Sequence, residues 1–265
     1  LHVEFAKRRA AETKKIVAGV DPAKNAHAKQ SVADLKTEIA SVNNKLEESK
    51  ASAQGSLTAE TVKDVSRDAE EIKNVLQNLK TDLLTSTTTA DKDLSKDITE
   101  VKDLVKDAGV KAVEVMISKH LEGDTSVSKE EVTQAVGNSL QTAVAAAAVS
   151  KQNVEGINDA VEAVKTEVKD LTAEQKKDSA LVSSTKELNI KITDMSAQTK
   201  EAAVKSEAVA VDVGNKADEA KDLLSQGDLS KAMDKVKEIS AAGKEAEKIS
   251  DATLKSAQNV LTAVN

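Results

Sequence analysis

The chain has no cysteine, tryptophan or tyrosine, and among its 265 residues it holds a single phenylalanine and a single proline. Without cysteine there is no disulfide, no thiolate metal site and no thiol nucleophile. The missing large aromatics remove the side chains that bury the most area in thick globular cores. Scarce proline, together with only nine glycines, removes the usual breakers of regular structure. No apolar run approaches the roughly 20 residues that span a bilayer, and no basic segment followed by an apolar one marks a secretion signal. There is also no Asn-x-Ser/Thr acceptor, so N-linked sugar is not expected.

What remains is Ala, Val, Leu, Ile, Lys, Glu, Asp and Ser. The 38 basic and 45 acidic residues are interspersed and leave a net charge of -7. Mixed charge of this kind keeps a helical surface solvated without making it a polyanion binder. Small aliphatic side chains fill thin seams between helices, so the fold class is read as all-α, an elongated antiparallel bundle of long helices forming a single domain over 1–265.

The hydrophobic spacing supports that reading. Val32, Leu35, Ile39, Val42 and Leu46 alternate steps of three and four along one helix face. Asp21 as N-cap and Pro22 at the first helical position mark a helix from 22 to about 53, which Gly55 ends, and 3–18 reads as a shorter helix or as the first part of the same one across a kink. Thr58 caps the next helix. Its stripe runs Val62, Val65, Ala69, Ile72, Leu76, Leu79 and Leu83, then returns after "TSTTTADKD" as Leu94, Ile98, Val101, Val105, Ala108, Ala112 and Val115. The return is displaced by one position, as in a stutter, and predicts one bent helix over 59–120, roughly 90 Å long.

Ser128 and Glu131 form a capping box ahead of a stripe from Val132 to Leu171. Within it, Ala143 and Ala147 of "TAVAAAAVS" lie on the inward face and predict a point of close approach between helices. Residues 172–187 are read as a bend. "LNIKIT" alternates like a strand but is short and flanked by helix formers, so helix is preferred. Gly227 and Asp228 mark a tight helical hairpin between the last two helices.

Chemistry is sparse. His2, His27 and His120 are far apart and lack ligand-type partners, so no metal site is assigned. "DTSVSKEEV" from Asp124 fails as a calcium loop, with Lys129 where glycine is needed and Ala135 where the bidentate Glu belongs. Glu70, Glu71, Glu130 and Glu131 read as helix-surface charge instead of acid-base pairs. No phosphate loop or nucleophile elbow occurs. No catalytic, cofactor-binding or metal-binding residue is assigned, and no cofactor. "AKRRAAETKK", with Lys7, Arg8, Arg9, Lys14 and Lys15, reads as a basic helix end and not a nucleic-acid site. The Thr-rich "TSTTTAD" reads as a polar patch, with an O-glycan acceptor as the alternative.

Long Ala- and Glu-rich helices, almost no aromatics, no Cys and the hairpin at "SQGDLS" give the chain a composition and layout that resembles the glutamic acid/alanine-rich surface protein of African trypanosomes, a relative of the variant surface glycoproteins and the haptoglobin-haemoglobin receptor. The resemblance implies a non-enzymatic coat protein that packs densely against neighbouring coat molecules and shields the parasite surface. It also implies tethering to the membrane by a glycolipid anchor outside this chain. The alternative is a ligand-binding surface receptor or adhesin, either a relative of the trypanosome receptor or a spirochaete surface lipoprotein, for an unknown host ligand.

Overall fold

The computed structural model describes residues 2–17, 22–51, 57–85, 92–174 and 179–262. These form seven helices and, among the described residues, no strand: α1 His2–Val17, α2 Pro22–Ala51, α3 Ala59–Thr85, α4 Lys92–Leu121, α5 Lys129–Glu174, α6 Ser179–Gln226 and α7 Leu229–Thr262. The all-α bundle read from the sequence is what the chain adopts. Contacts group it into two compact units, Leu1–Ser139 and Leu140–Asn265, within the stretch read from sequence as one domain; the division falls inside α5.

The first unit is a ring of four helices in the spatial order α1, α2, α4, α3. Cross-helix pairs give the directions. Arg9 reaches Asp34 and Thr13 bonds Ser31, so α1 and α2 are antiparallel. Lys36 meets Glu100, Lys111 meets Glu47 and Lys50 meets Glu114, so α2 and α4 run parallel. Lys102 meets Gln77, and Gly109 lies against Ala69, so α3 and α4 are antiparallel.

That last pairing corrects the continuous helix expected over 59–120. The stripe survives on both sides, with Val62 to Leu79 and Leu94 to Val115 buried, but the two halves pack against each other as α3 and α4. Two apolar stripes facing each other bury both, whereas a single straight helix would need outside partners for each, at about 1.5–3 kcal/mol for every Leu, Ile or Val left in water. The one-residue displacement therefore separates two helices and is no stutter within one. Most of "TSTTTADKD", residues 86–91, lies outside the described residues, as do Asp21 and Gly55.

Local chemistry sets the helix boundaries. Thr58 Oγ1 accepts the Thr61 amide 3.2 Å away, the N-cap of α3. The capping box forms as expected: the Ser128 amide donates to Glu131 at 2.9 Å and the Glu131 amide to Ser128 Oγ at 3.2 Å. Gly123 and Gly227 sit at φ 87° and 79°, the left-handed region that a Cβ penalises. Each closes a Schellman turn, through Asp124 N–H to Lys119 O and Asp228 N–H to Leu223 O, both 2.9 Å. Asp228 Oδ1 then accepts the Lys231 amide and starts α7.

In the second unit α6 and α7 form an antiparallel hairpin, with Lys235 on Glu219 and Lys216 on Glu238. "LNIKIT" is helical within α6. Near the turn the buried Val213, Ala217 and Ala220 of α6 run alongside Leu229, Met233, Val236 and Ile239 of α7, and farther along Met195 lies beside Ile249 and Ala252. The expected close approach at the alanine run is present: a Cβ placed on Gly243 of α7 would lie 3.6 Å from the carbonyl oxygen of Ala143. Ala143 and Ala147 are buried, whereas Ala145 and Ala148 face solvent.

Candidate functional site

Two polar or grooved regions stand out, both in the second unit. The first is an open groove of about 250 Å³ between α6 and α7. Met195, Ala202, Ile249 and Ala252 give it an apolar lining, while Gln198, Glu201, Lys205 and Ser256 bring polar groups to it. Its chemistry is largely self-satisfied. Glu201 and Lys205 pair with each other at 2.6 Å, which holds the Glu201 carboxyl below its ordinary range. Thr199 donates to Asn158 of α5, and Thr253 donates back to the Ile249 carbonyl.

The second is a polar seam between α5 and α6. Lys151 pairs with Glu207, Thr199 Oγ1 donates to Asn158 Oδ1 at 3.0 Å, and the Ser196 hydroxyl donates to Glu162. Lys165 donates to Ser196 Oγ at 3.0 Å, and Lys200 lies 3.1 Å from Glu162. The Ser196 hydroxyl, followed by Lys200 and Lys165, holds the Glu162 carboxyl below the usual carboxylate range. Glu207 holds Lys151 above the ordinary lysine value.

A serine flanked by a carboxylate and an amine has the residue types of a nucleophilic site. Its placement opposes that role. Ser196 is 2 % exposed and sits in mid-helix, where neighbouring backbone N–H groups are committed to the helix and cannot line an oxyanion hole. The arrangement acts as a clamp between two helices.

Residues weighed in the sequence are dispersed. His27 is exposed on α2, and His120 at the end of α4 places Nδ1 3.0 Å from the Val127 carbonyl. Among the described residues no three His, Asp or Glu side chains gather as a metal site. Asp124 Oδ1 accepts the amide and the hydroxyl of Ser126, capping the turn between α4 and α5. Glu70 pairs with Lys73, Glu71 with Lys7, and Glu131 with Lys63. The basic helix end is charge-matched: Lys7 also faces Asp68, Arg8 meets Glu4, and Arg9 meets Glu12 and Asp34. The side chains of Lys14 and Lys15 lie outside the described residues.

Sequence reading missed the α5–α6 seam because its members fall between stripe positions as ordinary polar residues. The available signal was the pair Ser196 and Thr199, which follow Met195 on the inward face of α6. No helix of the described residues is long and apolar enough to cross a membrane. No protein-family model, characterised protein or solved structure matches the chain.

Proposed function

We propose that this chain is a non-enzymatic cell-surface coat protein, held at the membrane by a lipid anchor outside the sequence described, whose charged helical surface packs beside its neighbours and shields the cell. The observation that carries this reading is the character of the outer faces. Their charges are matched locally, as in Glu201 with Lys205, Asp218 with Lys221 and Asp234 with Lys237. Matched charge gives a solvated, weakly adhesive surface suited to crowding. The composition that resembles the trypanosome surface protein supports the same reading.

Antibodies raised to the purified chain test it on intact cells that express the protein. Surface labelling that is lost after phosphatidylinositol-specific phospholipase C is the expected result. Labelling that requires permeabilised cells overturns the proposal.

A second reading, a ligand-binding surface receptor or adhesin, is favoured by one specific feature. Val204 and Val211, seven residues apart on α6, are 71 % and 52 % exposed, so α6 carries apolar side chains on an outward face. A stoichiometric host protein recovered from serum on the immobilised chain favours this reading over the coat.

A further inference from the structure

The third helix of the second unit is attached differently from the other two. Along α6 and α7 the backbones approach closely and the facing side chains are mostly apolar. Among the described residues, α5 makes no comparable run of close approach to either helix. Its tight contact is at one end, where Ala143 meets Gly243, and Ala147 and Val154 continue the burial. Beyond Val154, Ile157, Val161 and Val164 are only half-buried, and Val168 is the single fully buried aliphatic before residue 170.

Polar stations hold this half in place. They are Asn158 on Thr199, Lys165 on Ser196, and Glu162 on Ser196 and Lys200, with Lys151 on Glu207 just before Val154. The matching stretch of α6 is itself hydroxyl-rich: Ser196, Thr199 and Ser206 are all buried, and Ser206 Oγ has no hydrogen-bond partner. An apolar seam loses buried area when it opens, at about 25 cal/mol per Å². A seam of hydroxyls and ion pairs exchanges its contacts for water at little net cost.

We propose that residues 155–168 of α5 form a releasable strap on the α6–α7 hairpin, hinged where Ala143 meets Gly243 and latched by the ion pairs and hydroxyls of the seam. Lifted off the hairpin, this stretch loses the packing that keeps a short helix formed, so it frays as it separates and uncovers the hydroxyl-rich face of α6. Ionic strength controls it, because Lys200 of α6 faces Glu162 of the strap, and Glu207 faces Lys151 just before it, in positions that salt screens.

The absence of native cysteine makes the test specific. Spin labels on Ala160→Cys of α5 and Ala208→Cys of α6, both exposed positions, report the separation of the two helices. At about 0.05 M salt a single short distance is expected, and at about 1 M salt a second, longer population joins it. In parallel, hydrogen exchange on the unlabelled chain should show amides of 155–168 exchanging on the order of tenfold faster than those of 229–246, with the gap widening in salt. The Glu162→Gln variant should show the longer population already at low salt. A single unchanged distance at both salt concentrations, α5 and α7 exchanging in step, or a Glu162→Gln chain that stays closed at low salt would each overturn the strap.

Discussion

Lys102 on α4 donates from Nζ to Oε1 of Gln77 on α3 across 2.9 Å, and the lysine is only 2 % exposed. An ammonium in this setting is stabilised by its partners and penalised by burial, so removing one partner costs more than removing the charge itself. Gln77→Leu is expected to lower stability by about 1–3 kcal/mol. Lys102→Met, which keeps the length of the stem and removes the charge, should cost less, and adding it to Gln77→Leu should recover part of the loss. Urea midpoints of the two single variants and the double variant check the order. A neutral Gln77→Leu would show that the contact does not matter to the α3–α4 pairing.

Two helical glycines invite opposite outcomes. A Cβ on Gly109 would lie 3.3 Å from the Cβ of Ala69, a neighbour with no rotamer to yield, so α3 and α4 must move apart. Alanine there gains about 1 kcal/mol of helix propensity but meets an overpacking cost of about 1–3 kcal/mol. At Gly243 the nearest atom, Ala143 O, is 3.6 Å away, an ordinary contact that leaves the propensity gain intact. Gly109→Ala should therefore melt below the parent chain and Gly243→Ala above it. Thermal denaturation of the two variants decides, and the reverse order would contradict the contact geometry.

Much of the fold was legible in the residues, for reasons that also explain what was not. The three-four stripes named the buried face correctly from Val32 to Leu46 and from Leu229 to Ala246, because burial of small aliphatics is a one-dimensional signal. Thr58, Ser128, Gly227 and Asp228 were readable because caps and left-handed turns depend on neighbours within a few residues. Splitting α3 from α4 was not readable, since a stripe looks the same whether it continues or folds back on itself. Only contacts such as Gln77 with Lys102 distinguish the two. The α5–α6 seam was hidden for the same reason: Asn158 and Glu162 become partners of Thr199 and Ser196 only after two helices meet.

Acid should loosen the caps and the seam together. Lys63 and the Ser128 amide hold the Glu131 carboxyl low, the Ser196 hydroxyl and Lys200 do the same for Glu162, and Lys231 does so for Asp228. For a carboxylate whose folded pKa is depressed, the unfolded chain takes up protons first as pH falls. Its contribution to stability is thus present above the ordinary carboxylate range and is lost as pH drops through the folded value. Melting temperature is expected to hold steady from about pH 7 to 5 and to fall below about pH 4. Glu131→Gln, which cannot ionise, should melt lower at neutral pH and show a shallower acid decline. An identical acid slope in that variant would remove Glu131 from the account.

Ser49 on α2 and Ser206 on α6 offer a final check on the interior. Both are buried, at 6 % and 1 % exposed, and neither hydroxyl oxygen has a hydrogen-bond partner. A hydroxyl taken from water without a replacement bond costs about 1–3 kcal/mol, and alanine removes that cost while adding helix propensity. Ser49→Ala and Ser206→Ala should each raise the melting temperature. The two lie in different units, so their gains should add in the double variant. At Ser206 the same change strips one buried hydroxyl from α6 beside Glu207, which holds Lys151 of α5. If Ser206→Ala stabilises the chain yet leaves the low-salt distance between α5 and α6 unchanged, the latch rests on the ion pairs and on Asn158 with Thr199. A destabilised Ser206→Ala would instead mean that this hydroxyl has a bonding role in the folded chain.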